Sequence, residues 1–367
     1  MSRELPFQNA RVAIVGLGLM GGSLAGALRS HCRTVIGVAR RTETIETALA
    51  QGLIDWGSTS LEGAFQEADI VVLATPVRTI VKQIAEIGPL LPEGCLLMDL
   101  GSTKAQIMAE MARLPDHVQP LGGHPMCGKE TSGIEVADPD LYQDRTFILT
   151  PLPRTSQAAL ALGLTLVQAA GARPLVLEAE RQDFLVATLS HLPYMLACGL
   201  VSTADAVTSP DPAAWEIVAG GFRDTSRVAG SDVTMMLDIL LTNRREVLRA
   251  LDAFRTQLRE LAHLVETTDE ENLRETLSTV RGKRREMVPR AGLSWKPVQL
   301  YAAASACQAI NRSRTGPCCW APSPRDRAVW RTFCPPPTAW PASMPFERWA
   351  SRSNSSRPPH SWSTGGG

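Results

Sequence analysis

Apolar residues in this chain come in short blocks separated by polar, amphipathic stretches. The first block, "RVAIVG", is rich in β-branched side chains and closed by glycine, which predicts a buried strand. "LMGGSLAGALRS" then predicts a helix, "TVIGVA" a strand, "ETIETALAQG" a helix and "ADIVVLATP" a strand. "VRTIVKQIAEIGPLL" follows as a helix and "CLLMDLGS" as a strand. Farther on, "RTFILTP" and "ARPLVLEA" predict strands on either side of a helix in "SQAALALGLTLVQAAG". Strands alternating with helices make parallel β-α-β units, hence an α/β domain with an open sheet over residues 8–178. Between these elements, "PLGGHPMCGKETSG" has little to pack and predicts a loop around His124.

Beyond this domain the strand signal disappears. Residues 179–290 predict an all-α domain, in which Val247, Leu251, Phe254, Leu258, Leu261 and Val265 form the seam of a long helix. That seam fits packing within one subunit and packing across a dimer equally well. Residues 295–367 keep neither period. They are proline-rich, yet hold half of the eight cysteines and most of the eight tryptophans, a composition unlike ordinary linkers. They predict an atypical, non-folding tail of the kind a shifted reading frame produces.

Charge narrows the function. The 37 Lys and Arg balance the 37 Asp and Glu, but the tail is basic and everything before it is net acidic. An acidic body gives no electrostatic reason to bind nucleic acid. No apolar run reaches the roughly 18 residues of a membrane-spanning helix, and the N-terminus lacks the layout of a signal peptide, so no membrane is expected. Cys32, Cys95, Cys127 and Cys198 stand apart with no CxxC spacing. That suits a reducing cytoplasm and argues against a metal site.

The strongest motif is Gly16-x-Gly18-x-x-Gly21, directly after the first strand and opening a helix. The first glycine permits the turn, the second lets a pyrophosphate approach the backbone, and the third lets helix and strand pack closely. Gly16, Gly18, Leu19, Met20 and Gly21 are therefore expected at a dinucleotide, over the free N–H groups of a helix N-terminus. An NAD site needs Asp or Glu at the end of the second strand for the ribose 2′-hydroxyl. Here the strand runs into "ARRTET", so Arg40, Arg41 and Thr42 are expected to hold the 2′-phosphate of NADP. The alternative is a solvated turn.

A nicotinamide enzyme that oxidises an alcohol needs a base, and histidine is the usual one. His31 and His263 sit in helical patterns and His117 in a polar loop. His124 lies past the C-terminal edge of the sheet, where α/β proteins bind ligands, between glycines expected to leave room for one. Ser102, at the end of "CLLMDLGS", is placed to hold one imidazole nitrogen. The alternative is a structural histidine.

"VGLGLMGGSLAGAL", "ATPV", "DLGSTK", "GGHPMCG", "SHLP" and "GFRDTSRVAGSD" occur in this order and at the spacing of one family. The chain resembles the TyrA family, the prephenate and arogenate dehydrogenases of tyrosine biosynthesis. The resemblance implies a Rossmann-type domain followed by a helical dimerisation domain in a homodimer, with no metal. It implies catalysis by His124 with Ser102 in support and substrate binding by Arg227, His191, Asp224 and Tyr194. Thr75, Pro76 and Ser102 join the cofactor set. Two departures stand out: Tyr194 replaces the second histidine of "HLPH", and Met235-Met236 replaces a common Met-Trp pair. With "ARRT", both resemble the arogenate-specific, NADP-using branch. The expectation is thus oxidative decarboxylation of arogenate to tyrosine with NADP. An NAD-dependent prephenate dehydrogenase is the closest alternative. A β-hydroxyacid dehydrogenase leaves "GGHPMCG" without a role, and a non-catalytic dinucleotide sensor gives no reason for His124, Ser102 and Arg227 together.

Overall fold

A computed structural model of the chain describes residues 5–129 and 131–287. The tail at 295–367 and the last residues of the expected helical domain lie outside the described residues. The first part runs β1 (Arg11–Val15), α1 (Leu19–Leu28), β2 (Thr34–Val38), α2 (Thr42–Ala50), β3 (Trp56–Ser58), α3 (Leu61–Phe65) and β4 (Ile70–Leu73). It continues with α4 (Val77–Ile87), β5 (Leu96–Asp99), α5 (Ala105–Met111), β6 (Gln119–Pro125), β7 (Thr146–Pro151), α6 (Gln157–Ala169) and β8 (Arg173–Val176).

The eight strands form one sheet in the order β3-β2-β1-β4-β5-β6-β7-β8. β3 to β6 are mutually parallel, β7 runs antiparallel to β6, and β8 runs parallel to β7. Val12 faces Val35 on one side and Ile70 on the other. Every residue of β4 and β5 is buried, as expected for parallel strands with helices on both faces. α4 shows how the cover is made: Val77, Ile80, Ile84 and Ile87 share one face and turn it to the sheet. Strand order reverses between β1 and β4, the point at which sheets of this kind bind ligands in a crevice at the C-terminal ends of the strands. This is the Rossmann arrangement expected for the first domain.

The glycine-rich stretch around His124 is a strand, β6, and not a loop. Its glycines do not leave room for a ligand. A Cβ at Gly123 would lie 2.4 Å from the Asp99 carbonyl oxygen, and one at Gly122 would lie 2.6 Å from the Met108 sulfur. Glycine is needed because β6 packs so closely on β5 and α5.

The second part is helical: α7 (Ala179–Val186), a π turn (Ala187–His191), α8 (Leu192–Thr208), α9 (Gly220–Ser226), α10 (Val233–Thr242), α11 (Arg244–Glu266) and α12 (Glu270–Met287). Pro193 has no N–H to give the preceding turn, and the π turn lies where that bond is missing. Within the continuous run Ala179–Thr208 an 18-residue stretch has a mean hydropathy of 1.7, and the run is, by length and composition, sufficient to cross a membrane. The sequence reading missed this because Asp183 and His191 interrupt it. Both are buried polar groups with partners in the protein, which a lipid-facing span would not supply.

The helices bury little against themselves. Their small core joins Ala187, Val247 and Ala250 with Leu192, Leu240 and Leu251. Val207 is 73% exposed and Ile217 80%. The seam on α11 therefore divides: Val247 packs inside the subunit, whereas Leu258 and Val265 are 54% and 62% exposed.

Candidate active site

The crevice begins at the β1–α1 turn. Gly16 has φ 99°, a left-handed conformation that favours glycine. A Cβ on Gly21 would fall 1.9 Å from the Gly16 carbonyl oxygen, so the third glycine is required for α1 to sit on β1. Gly18, which caps α1, faces open space, with no atom within 4 Å of a Cβ built on it. The first turn of α1 has no side-chain cap and no acidic residue, which leaves its N–H groups for a ligand. This cradle fits a dinucleotide pyrophosphate. Leu19 turns its side chain into the core, and the Met20 carbonyl accepts the Tyr142 hydroxyl at 2.6 Å.

Thr75 follows β4 and donates its hydroxyl to Gln83 at 2.6 Å, while Pro76 caps α4. At the end of β2, Arg40 and Arg41 are exposed, Arg41 caps α2 and Thr42 is its first residue. No carboxylate occupies the position that would repel a 2′-phosphate.

His124 sits near the end of β6, buried, opposite Ile148 of β7. Its Nδ1 is buried with no hydrogen-bond partner among the described residues. Burial pushes its pKa down to about 3, helped by the nearby charges of Lys104 and His191. His191, on the π turn, is also buried, and burial lowers it to about 4. Both rings are neutral at physiological pH. The expected Ser102–His124 hydrogen bond is not formed. Ser102 lies three residues beyond β5, and its carbonyl accepts a 3.5 Å contact from Gln182.

Four residues that the sequence reading passed over build this region. Asp99 and Lys104 form an ion pair beneath His124, both fully buried. Burial drives the Asp99 carboxyl up and the Lys104 ammonium down, while each charge opposes the other's shift. Asp183 of α7 accepts the N–H groups of Lys104 at 2.7 Å and Ala105 at 2.8 Å, capping α5 from the helical domain. Asn243 donates to the Asp183 carbonyl at 2.7 Å and lies 3.4 Å from His191 Nδ1. "DLGSTK", "RQDF" and "TNRR" carried these residues, but burial across domains is not visible in a linear string. Arg78–Asp238 and Thr103–Thr242 join the two domains on the same side.

The remaining expected substrate residues are also on the helical domain. Tyr194 is half-buried on α8 and its hydroxyl meets Cys198 one turn on. Asp224 is exposed on α9, and Arg227 opens the 3-10 turn Arg227–Gly230 that packs against α8. The helix changes character between Asp224 and Arg227, so the two do not share one regular helical face.

Comparison with known proteins agrees with this architecture. Residues 24–176 match the pattern of "Prephenate dehydrogenase, nucleotide-binding domain", and residues 178–279 match "Prephenate dehydrogenase, dimerization domain". A prephenate dehydrogenase of Bacillus subtilis is 32% identical over 279 residues, 74% of this chain and 75% of that protein. The crystal structure of prephenate dehydrogenase from A. aeolicus in complex with hydroxyphenyl propionate and NAD+ is 33% identical with a TM-score of 0.71, over 76% of this chain and 98% of that one. The Synechocystis arogenate dehydrogenase structure is 30% identical with a TM-score of 0.68, over 76% of this chain and all (100%) of that one. With both domains matched and the catalytic-domain topology in place, this chain belongs to the prephenate dehydrogenase family.

Proposed function

We propose that this protein oxidatively decarboxylates a cyclohexadienol of the prephenate type in tyrosine biosynthesis, with NADP as hydride acceptor. The observation that carries the proposal is His124: a buried, neutral imidazole at the end of β6, on the sheet edge that also holds the glycine cradle. When bound, the nicotinamide supplies the acceptor for the hydride leaving C4 of the substrate. His124 takes the proton of the 4-hydroxyl. A weakly basic imidazole is adequate, because the hydroxyl becomes strongly acidic as the hydride departs. The ketone so formed draws electrons from the ring carboxylate; the carbon–carboxylate bond breaks, CO2 leaves and the ring becomes aromatic. Arg227 is the residue assigned to a substrate carboxylate, through charge-assisted hydrogen bonds.

On the substrate, the names of the Bacillus and A. aeolicus relatives weigh toward prephenate, so the arogenate reading becomes the second. One feature favours it: Tyr194 is neutral at pH 7 and can accept a hydrogen bond from the ammonium group of arogenate. On the cofactor, the A. aeolicus structure carries NAD+, while Arg40 and Arg41 here weigh toward NADP. The exposed apolar side chains of α8 to α12 support a homodimer. The four cysteines of the described residues are all free, as a reducing cytoplasm leaves them.

Initial rates with prephenate and arogenate, each with NAD and NADP, test the proposal. Turnover of prephenate with NADP at the higher kcat/KM is expected. Faster turnover of arogenate moves the substrate to the second reading, a preference for NAD removes the role given to Arg40 and Arg41, and no turnover with any pair refutes the function.

A further inference from the structure

Asp99 is the last residue of β5, fully buried, and it bonds to both strands of backbone that carry the candidate catalytic groups. Its Oδ1 accepts the N–H of Gly123 at 3.1 Å, the residue before His124. Its Oδ2 accepts the N–H of Gly101 at 2.7 Å, the residue before Ser102, and also the Lys104 ammonium. The fit leaves no slack. A Cβ on Gly101 would lie 2.9 Å from Asp99 Oδ2, and one on Gly123 would lie 2.4 Å from the Asp99 carbonyl oxygen.

A fully buried ion pair is a poor device for stability alone, because a well-packed apolar pair of similar volume does as well without the desolvation cost. This pair does something an apolar pair does not: it accepts two specific amides. We propose that Asp99 is a positioning residue, whose single carboxylate sets the backbone under both His124 and Ser102, and that Lys104 keeps this carboxylate ionised at a fully buried position. Lys104 has a second effect through its charge. The charged or titratable groups around His124 are Lys104 and His191, with Asp99 and Asp183 facing Lys104. Lys104 thereby opposes protonation of the base. The proposal rests on His124 acting as the base.

The test uses the full chain and the variants Asp99→Asn, Lys104→Met and the charge-neutral pair D99N/K104M. Hydrogen exchange comes first, because it needs no turnover. In the wild type the Gly101 and Gly123 amides should be protected like those of β4. In D99N/K104M they should exchange at least ~10-fold faster, while β1 and β4 keep their protection. The double variant should melt closer to the wild type than either single variant, since it leaves neither member of the Asp99–Lys104 pair charged without the other. Its kcat should fall roughly 10- to 100-fold from misplacement of the base, with the calorimetric Kd for NADP changed by less than about twofold. The acidic limb of its kcat/KM profile should move to higher pH, because the Lys104 charge is gone. A merely structural pair would lower melting temperature and cofactor binding together and leave that limb in place.

A folded double variant with wild-type kcat and acidic limb overturns the proposal, as does fast exchange of both amides in the wild type. If the double variant does not fold, exchange in Asp99→Asn decides, with unchanged protection at Gly101 and Gly123 overturning it. Absence of turnover in the wild type would refute the function while the exchange result still judged the geometry.

Discussion

Lowering the pH should unfold this protein through its buried imidazoles, and His124 makes the effect measurable. An unfolded histidine titrates near 6.5. In the folded chain burial holds His124 at about 3 and His191 at about 4. Below pH 6.5 the unfolded state therefore binds protons that the folded state refuses. Stability is fully present above that value and declines as pH falls, until the folded pKa values are reached. Each pH unit below 6.5 removes about 1.4 kcal/mol per imidazole, so at pH 5 each costs about 2 kcal/mol and the pair about 4 kcal/mol. Asp99 and Asp183 oppose this, because burial raises both carboxyls and so favours the folded state as they protonate. A difference measurement cancels them. Urea unfolding of wild type and His124→Asn, at one protein concentration because the stability of the proposed dimer depends on it, should be run from pH 8 to pH 5. The variant starts from a different stability at pH 8, but its loss on going to pH 5 should be smaller by about 2 kcal/mol. Parallel curves for the two proteins would show that His124 titrates normally in the folded state, and the neutral-base argument would fall with it.

Three further outcomes follow from the same geometry. Replacing Arg40 and Arg41 with Ala should raise KM for NADP far more than for NAD; equal effects would show that these side chains do not read the 2′-phosphate. Arg227→Ala should raise the substrate KM by roughly 10- to 150-fold, the loss of one charge-assisted contact worth about 1.5–3 kcal/mol, with cofactor affinity retained; an unchanged KM and kcat would place Arg227 outside the site. Gly21→Ala sets a Cβ 1.9 Å from the Gly16 carbonyl oxygen. Because backbone cannot swing aside, α1 must lift off β1 at a cost of about 1–3 kcal/mol. Thermal melts should show NADP stabilising the wild type and not this variant, and equal stabilisation of both would refute the cradle.

Periodicity found the elements whose pattern is local and missed those set by distant partners. β1, β2, β4 and β5 were legible because strands buried on both faces read as unbroken apolar runs. β3 was not, since Trp56–Ser58 is three residues long and contains glycine. β6 was misread for a more instructive reason. Gly122 and Gly123 lower its strand signal, yet they are what lets the strand approach Met98, Met108 and Asp99. The residues that make the strand possible are those that hide it. The site divides in the same way. The glycine cradle is a local motif with a fixed spacing, and the lone histidine stood out by its chemistry. Asp99 and Lys104 lay inside a quoted motif without a role, because an ion pair beneath a histidine 20 residues away exists only once β5 and β6 are neighbours. Asp183 required the second domain to fold back onto the first, and Asn243 required the start of α11 to meet α7. The seam on α11 shows the limit most plainly. Its spacing was compatible with two partners, and one helix has room for both: Val247 faces its own subunit, and the exposed Leu258 and Val265 continue the same stripe toward the surface. A heptad pattern specifies that something apolar must cover the stripe, and only the tertiary packing tells which part is covered from within.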